Sequence, residues 1–184
     1  RALGGRIDVL LNNAGVIHPP APLTETDPAW LERTTRVNFL GTVYGLKHGA
    51  PLVVDGGSII NTSSMNAVMG LPGSGPYSAT KAAIVSLTRT AAVELGAARR
   101  IRVNAVLPTL VRTPMTGEVG PVHRIAELMT PLGRFAEVED MIGTFHFLAS
   151  PASRFVSGQS IIVDGATSAG LPPHALAALA GTSG

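Results

Sequence analysis

A chain of 184 residues, 45% hydrophobic and only 14% charged, can bury the core of one domain and is not a disordered composition. Its formal net charge of +2 comes without a basic run or an interleaved aromatic platform, which argues against a nucleic-acid partner. Cysteine is absent, which excludes disulfides and thiolate metal sites. No apolar run reaches membrane-spanning length, and Arg1 to Ile7 do not read as a signal peptide, so a cytoplasmic protein with no membrane partner is expected.

In chain order, Ile7 to Leu11 is a short apolar run that reads as a strand buried on both faces, closed by a tight turn at Asn12 to Gly15. Asp27 followed by Pro28 is a helix start, an N-cap with proline in the first turn. Leu31, Val37, Leu40, Val43 and Leu46 extend that helix to Gly49. Ser58 to Asn61 is a second buried strand, and Met65 to Gly75 is a loop punctuated by glycine and proline. Tyr77 to Leu95 predicts a helix stopped by Gly96. Ile101 to Val106 is a third strand, broken by Pro108. Arg112 to Leu132 forms a mobile lobe of two proline-bounded pieces. Glu137 to Leu148 is a helix, Ser160 to Val163 a fourth strand, and residues 166–184 a flexible tail. Strands separated by long helical crossovers mean a parallel sheet, whose ligands bind beyond the carboxyl ends of the strands. Asn12 to Gly15, Ser63 with Ser64, and Pro108 to Thr113 all follow strands, so the fold class alone brings them to one rim.

Tyr77 and Lys81 are four apart on a helix and share a face. A lysine cation favours phenolate, and a tyrosine tuned in that way can exchange a proton with an alcohol or a ketone. The same pair also fits an exposed helix surface. Ser64, just past a strand, can hydrogen-bond a substrate oxygen as charge develops, or can simply end the strand. No G-x-S-x-G surrounds it, so it is not a hydrolase nucleophile. Asn38, a weak helix former inside a helix, either is a neutral residue there or kinks the helix and holds a water. Thr113 can hydrogen-bond a carboxamide or cap a helix. The five histidines, His18, His48, His123, His146 and His174, show no ligand-like spacing, and no metal site is expected.

Six stretches in order, NNAG at 12 to 15, VNF around Asn38, INTSS at 60 to 64, YSATK at 77 to 81, IRVNAVLP at 101 to 108 and SGQSIIVDG at 157 to 165, resemble the short-chain dehydrogenase/reductase family. The resemblance implies an α/β fold: a three-layer, Rossmann-like, doubly wound parallel sheet, here strands four to seven of the usual seven. It implies NAD or NADP as cofactor and a small-molecule alcohol or ketone as substrate, a secondary alcohol and its ketone being interconverted by hydride transfer. It makes Tyr77 the general acid/base. Lys81 binds the nicotinamide ribose and lowers the tyrosine pKa, Ser64 polarises the substrate oxygen, and Asn38 holds a water in a proton relay. Asn12, Ala14, Gly15, Thr62, Tyr77, Lys81, Pro108, Thr109, Val111 and Thr113 are then the cofactor contacts. Ser64, Met65, Asn66, Tyr77 and Thr109 are the substrate contacts, in a fairly apolar pocket. A homotetramer or homodimer is implied, with Ala82, Ala83 and Ala91 permitting close helix contact between subunits.

Three departures from the family pattern stand out. Thr109 replaces the usual glycine after Pro108, where a side chain could crowd the nicotinamide or alter the backbone. Ala166 replaces a second glycine after Asp164-Gly165, a change expected to matter less. No GxGxxG occurs in the sequence. Residues 1–184 are therefore expected to form one partial domain of a longer protein, without the glycine-rich βαβαβ half, and the first strand to stand as an exposed apolar edge. A non-catalytic relative of the same fold, an inactive fragment, or a sugar-nucleotide epimerase or dehydratase of the wider superfamily remain as alternatives.

Overall fold

The computed structural model describes residues 4–117 and 120–181. Residues 118–119 of the expected lobe, 182–184 of the tail and 1–3 lie outside the described residues. Four parallel strands stand in chain order across one sheet: β1 (Ile7–Asn12), β2 (Val53–Thr62), β3 (Arg102–Pro108) and β4 (Ser160–Val163). Helix α3 (Gly75–Arg99) covers one face, where Val85 packs with Ala105 and Leu107, and Ala91 with Ile59 and Val103. Helix α5 (Val138–Ala149) covers the other, where Leu148 meets Ile60 and Val106.

β1 is an edge strand. Leu10 packs into the core beside Val53 and Ile59, but Val9 is 39% and Leu11 48% exposed. The reading of β1 as buried on both faces is therefore corrected, because α5 reaches only across β2 to β4.

The first long helix starts as expected. Asp27 caps it by accepting the Ala29 N–H, and α1 (Pro28–Thr34) follows. The chain then passes through a wide π-type turn at Thr35–Leu40, a single α-turn, α2 (Gly41–Tyr44), and a second π-type turn at Gly45–Gly49. Two glycines let this run lie against β1. A Cβ on Gly45 would sit 2.1 Å from Asn12 Oδ1, and one on Gly49 would sit 2.8 Å from Leu10 Cδ2.

Three boundaries differ from the sequence reading. α3 passes through Gly96 and ends at Arg99. Arg100 takes the left-handed conformation (φ 56°), and its N–H, with that of Ile101, closes the last turn on Gly96 and Leu95. β3 is not broken by Pro108 but includes it, because a strand's last residue can do without an N–H. The loop 112–132 contains α4 (Pro121–Met129), and the tail contains α6 (Pro173–Leu179), whose Ala175 is buried. Among the described residues no helix is long and apolar enough to cross a membrane.

The two local departures change places in importance. Arg100 and Ala166 are the only non-glycine residues of positive φ among the described residues, so Thr109 carries its side chain without backbone strain. Ala166, at φ 72°, occupies a conformation that suits glycine. Ala166→Gly is expected to stabilise the protein by about 1 kcal/mol and raise Tm by roughly 2–4 °C. Thermal unfolding checks this, and an unchanged or lower Tm would refute the strain account.

Candidate active site

β1, β2 and β3 end on one rim above a cavity of about 850 Å³. Two serines leave β2 in opposite senses. Ser63 is structural: its hydroxyl donates to the Lys81 carbonyl at 2.7 Å and its N–H to the Val106 carbonyl at 2.8 Å, tying β2 to α3 and β3. Ser64 faces the cavity with Tyr77 and accepts the Asn66 N–H at 3.2 Å.

Tyr77 and Lys81 share the inward face of the first turns of α3, as their spacing predicts. Lys81 is only 3% exposed; its Nζ donates to the Thr62 carbonyl at 2.9 Å and lies 5.7 Å from the centre of the Tyr77 ring. Burial lowers its pKa to about 8. Burial also raises the Tyr77 phenol above its usual value, and the Ser64 hydroxyl partly draws it back. The net direction at the phenol is therefore upward, with burial the larger cause, while Lys81 Nζ is engaged by the Thr62 carbonyl.

Asn38 is fully buried in the first π-type turn. Its Oδ1 accepts the Val16 N–H at 2.8 Å, and its Nδ2 donates to the Val16 carbonyl at 2.9 Å and to Thr80 Oγ1 at 3.1 Å. Thr80 in turn donates to the Tyr77 carbonyl. The helix deviates at Asn38, as one sequence alternative had it, and the side-chain amide is spent on the loop after β1. A Cβ on Gly15 would lie 3.4 Å from both Asn38 Oδ1 and Lys81 Nζ.

Of the other residues singled out in the sequence, Gly15, Thr62, Met65, Asn66, Pro108, Thr109, Val111 and Thr113 line the cavity. Asn12 and Ala14 do not. Asn12 turns to the opposite face of the sheet, donating to Asn61 Oδ1 at 2.8 Å beside Gly45, because strand alternation sends neighbouring residues to opposite faces. Its neighbour Asn13 is on the cavity side, where its Oδ1 accepts from Thr62 Oγ1.

Sequence reasoning missed His18 and His123. His18 is buried at the cavity wall, its Nε2 facing the Tyr77 N–H. Its only sequence signal is its place three residues past the NNAG turn. His123, on α4, is buried at the cavity with its ring 4.4 Å from Phe135, and nothing in its spacing marks it.

Comparison with known proteins bears on the family and the fold. A family model described as Enoyl-(Acyl carrier protein) reductase matches residues 1–168. The chain is 40% identical over 164 residues to the 3-oxoacyl-acyl-carrier-protein reductase of Thermotoga maritima, covering 88% of this chain and 66% of that protein. The chain thus spans just under two thirds of that relative's length. A short-chain type dehydrogenase/reductase from Mycobacterium marinum superposes with a TM-score of 0.85 at 32% identity, covering 92% of this chain and 68% of the other. The structure of ElxO with NADP bound superposes with a TM-score of 0.79 at 32% identity, covering 92% of this chain and 70% of the other.

The buried lysine has a measurable cost. Between its folded pKa of about 8 and its ordinary 10.5, the unfolded chain holds a proton that the folded chain has released. Stability therefore rises with pH across that window, and the penalty is full below it. Lys81→Met is expected to be more stable than the parent at pH 7 by about 1–3 kcal/mol, and the advantage should shrink toward about pH 9.5. Denaturant unfolding at both pH values tests this. A variant less stable at pH 7 would show that the bond to Thr62 outweighs the desolvation.

Proposed function

This chain belongs to the short-chain dehydrogenase/reductase family, and on that premise we propose that it carries the catalytic site of an NAD(P)-dependent oxidoreductase interconverting a secondary alcohol and a ketone. The observation that carries the reading is the convergence of Ser64, Tyr77 and Lys81 on one cavity, with Lys81 buried 5.7 Å from the centre of the Tyr77 ring.

The residues present fit the nicotinamide end of the cofactor. Gly15 leaves the space beside Lys81 Nζ that a Cβ would narrow, and Thr62, Pro108, Thr109, Val111 and Thr113 complete that wall. When bound, the nicotinamide supplies or accepts the hydride. Tyr77 Oη takes the hydroxyl proton as the alcohol becomes a ketone, and returns it in the reverse direction. Ser64 Oγ hydrogen-bonds the substrate oxygen where negative charge develops. Lys81 holds a positive charge under the phenol and binds the ribose hydroxyls. Asn38 fixes the loop that borders Lys81 through both ends of its side-chain amide, and the water-holding role that the resemblance implies for it is part of the same proposal. Met65, Asn66, Leu71, Met115 and Met141 make a largely apolar substrate wall.

A homodimer or homotetramer is part of the same proposal. Val93 on α3 and Tyr44 on α2 are 73% and 53% exposed, which supports contacts through those helices. On α3 Ala82 is exposed and Ala83 half-buried, whereas Ala91 is buried in the core and is withdrawn as an interface residue.

Two outcomes test the reading in the protein that carries these residues. Tyr77→Phe should lower turnover of secondary alcohols by about 10²- to 10⁴-fold while leaving NAD(P) binding intact; unchanged turnover would sink the catalytic assignment. Ser64→Ala removes the hydroxyl that opposes the rise of the Tyr77 pKa. The pH profile of alcohol oxidation should then move to higher pH, and a shift to lower pH would contradict the assigned role.

A further inference from the structure

We propose that His18 is a positioning residue for the catalytic tyrosine: it caps the N-terminus of α3 from outside the helix and pins one wall of the cavity to it. The functional part of this inference rests on the oxidoreductase reading above; its structural part does not.

α3 begins without a local cap. Ser74, at the N-cap position, makes no side-chain capping bond, and Pro76 has no N–H to offer. The first turn of a helix leaves N–H donors that need acceptors, and at Tyr77 the acceptor is His18 Nε2 at 3.4 Å. The other ring nitrogen, Nδ1, is 2.8 Å from the Pro19 carbonyl. A carbonyl can only accept, so Nδ1 carries the proton and Nε2 presents a lone pair, which is the tautomer that the Tyr77 N–H requires. The ring is 4% exposed, and the mechanism described above makes no use of it.

The segment after His18 runs His18-Pro19-Pro20-Ala21-Pro22-Leu23 and lies along the chain that enters α3. Ala21 N–H donates to the Gly73 carbonyl at 3.3 Å. A Cβ on Gly73 would meet Pro20 at 3.2 Å, and one on Gly75 would meet Leu23 at 2.7 Å. Three prolines hold this strap extended, so fixing its first residue fixes its course. His18 and Pro20 line the cavity from the strap, and Leu71 lines it from the loop that enters α3. One imidazole thus sets both the backbone position of Tyr77 and the cavity wall beside it.

The test is amide hydrogen exchange at Tyr77, read by NMR, together with turnover of a secondary alcohol. His18→Leu keeps the ring site apolar and removes the acceptor. Exchange at the Tyr77 amide should speed up by about tenfold or more. kcat should fall by about ten- to a hundredfold with KM for NAD(P) unchanged. His18→Gln places an amide oxygen where Nε2 stood and should restore most of the protection and of kcat. Unchanged exchange at Tyr77 in His18→Leu overturns the proposal, as does a His18→Gln variant as impaired as His18→Leu. The Tyr77→Phe control separates the two failures: if that variant turns over normally the oxidoreductase reading fails, while the exchange result still decides the role of His18.

Discussion

The site depends on one buried amide. Asn38 has left the ordinary helical path and presents both ends of its side chain to the backbone of Val16, a residue past the end of β1 and outside the sheet ladder. A backbone N–H and carbonyl with no ladder partner must find one elsewhere or bear a desolvation cost of about 1–3 kcal/mol each. Asn38 supplies both, which ties the loop from Asn13 to His18 to the first long helix. Everything the loop touches inherits that definition: Thr62 through Asn13, Tyr77 through His18, and the flank of Lys81 through Gly15. An aspartate or leucine of similar size at position 38 would satisfy one of these groups or neither.

The same economy governs the other face of the sheet. Asn12, Asn61 and Thr88 form a buried chain from β1 across β2 to α3, and Gly45 is small because Asn12 stands in its path. The long first helix is therefore shaped at two places by asparagines. Asn38 lies in the first wide turn as a member of it, and Asn12 presses on the second from the strand. Departures from regular helix geometry gather where polar side chains must be reached, a common position for π-type turns near functional sites.

Much of this was legible in the sequence and some of it was not, for reasons that differ by residue. The parallel order of the strands and the shared rim follow from apolar runs alternating with long helical spans, and Tyr77 with Lys81 follows from helical spacing. Asn12 was misplaced by one residue because a turn motif does not state which side of the sheet its first member faces; Asn13 takes the cavity side. Gly96 reads as a helix stop locally, but packing of α3 against β3 carries the helix on to Arg99, and Arg100 accepts the left-handed cap. Ala166 is strained in a way that only the backbone angle discloses. His18 was passed over because a lone histidine carries no spacing. Its significance arises from a contact with a residue 59 positions away in the chain.

The tyrosine and the lysine share one desolvated site. With the phenol protonated and the ammonium charged, a buried site carries a lone cation whose desolvation is what lowers the Lys81 pKa to about 8. Loss of the phenol proton would convert that lone cation into an ion pair of zero net charge. In a low-dielectric pocket such a pair is less costly than the cation alone when the two charges are close. Each group therefore opposes the shift that burial imposes on the other: phenolate would raise the lysine's affinity for its proton, and the ammonium would lower that of the tyrosine. The raised phenol and the depressed ammonium are thus the two faces of a single desolvation, and an added substrate oxygen at Ser64 would act on both together.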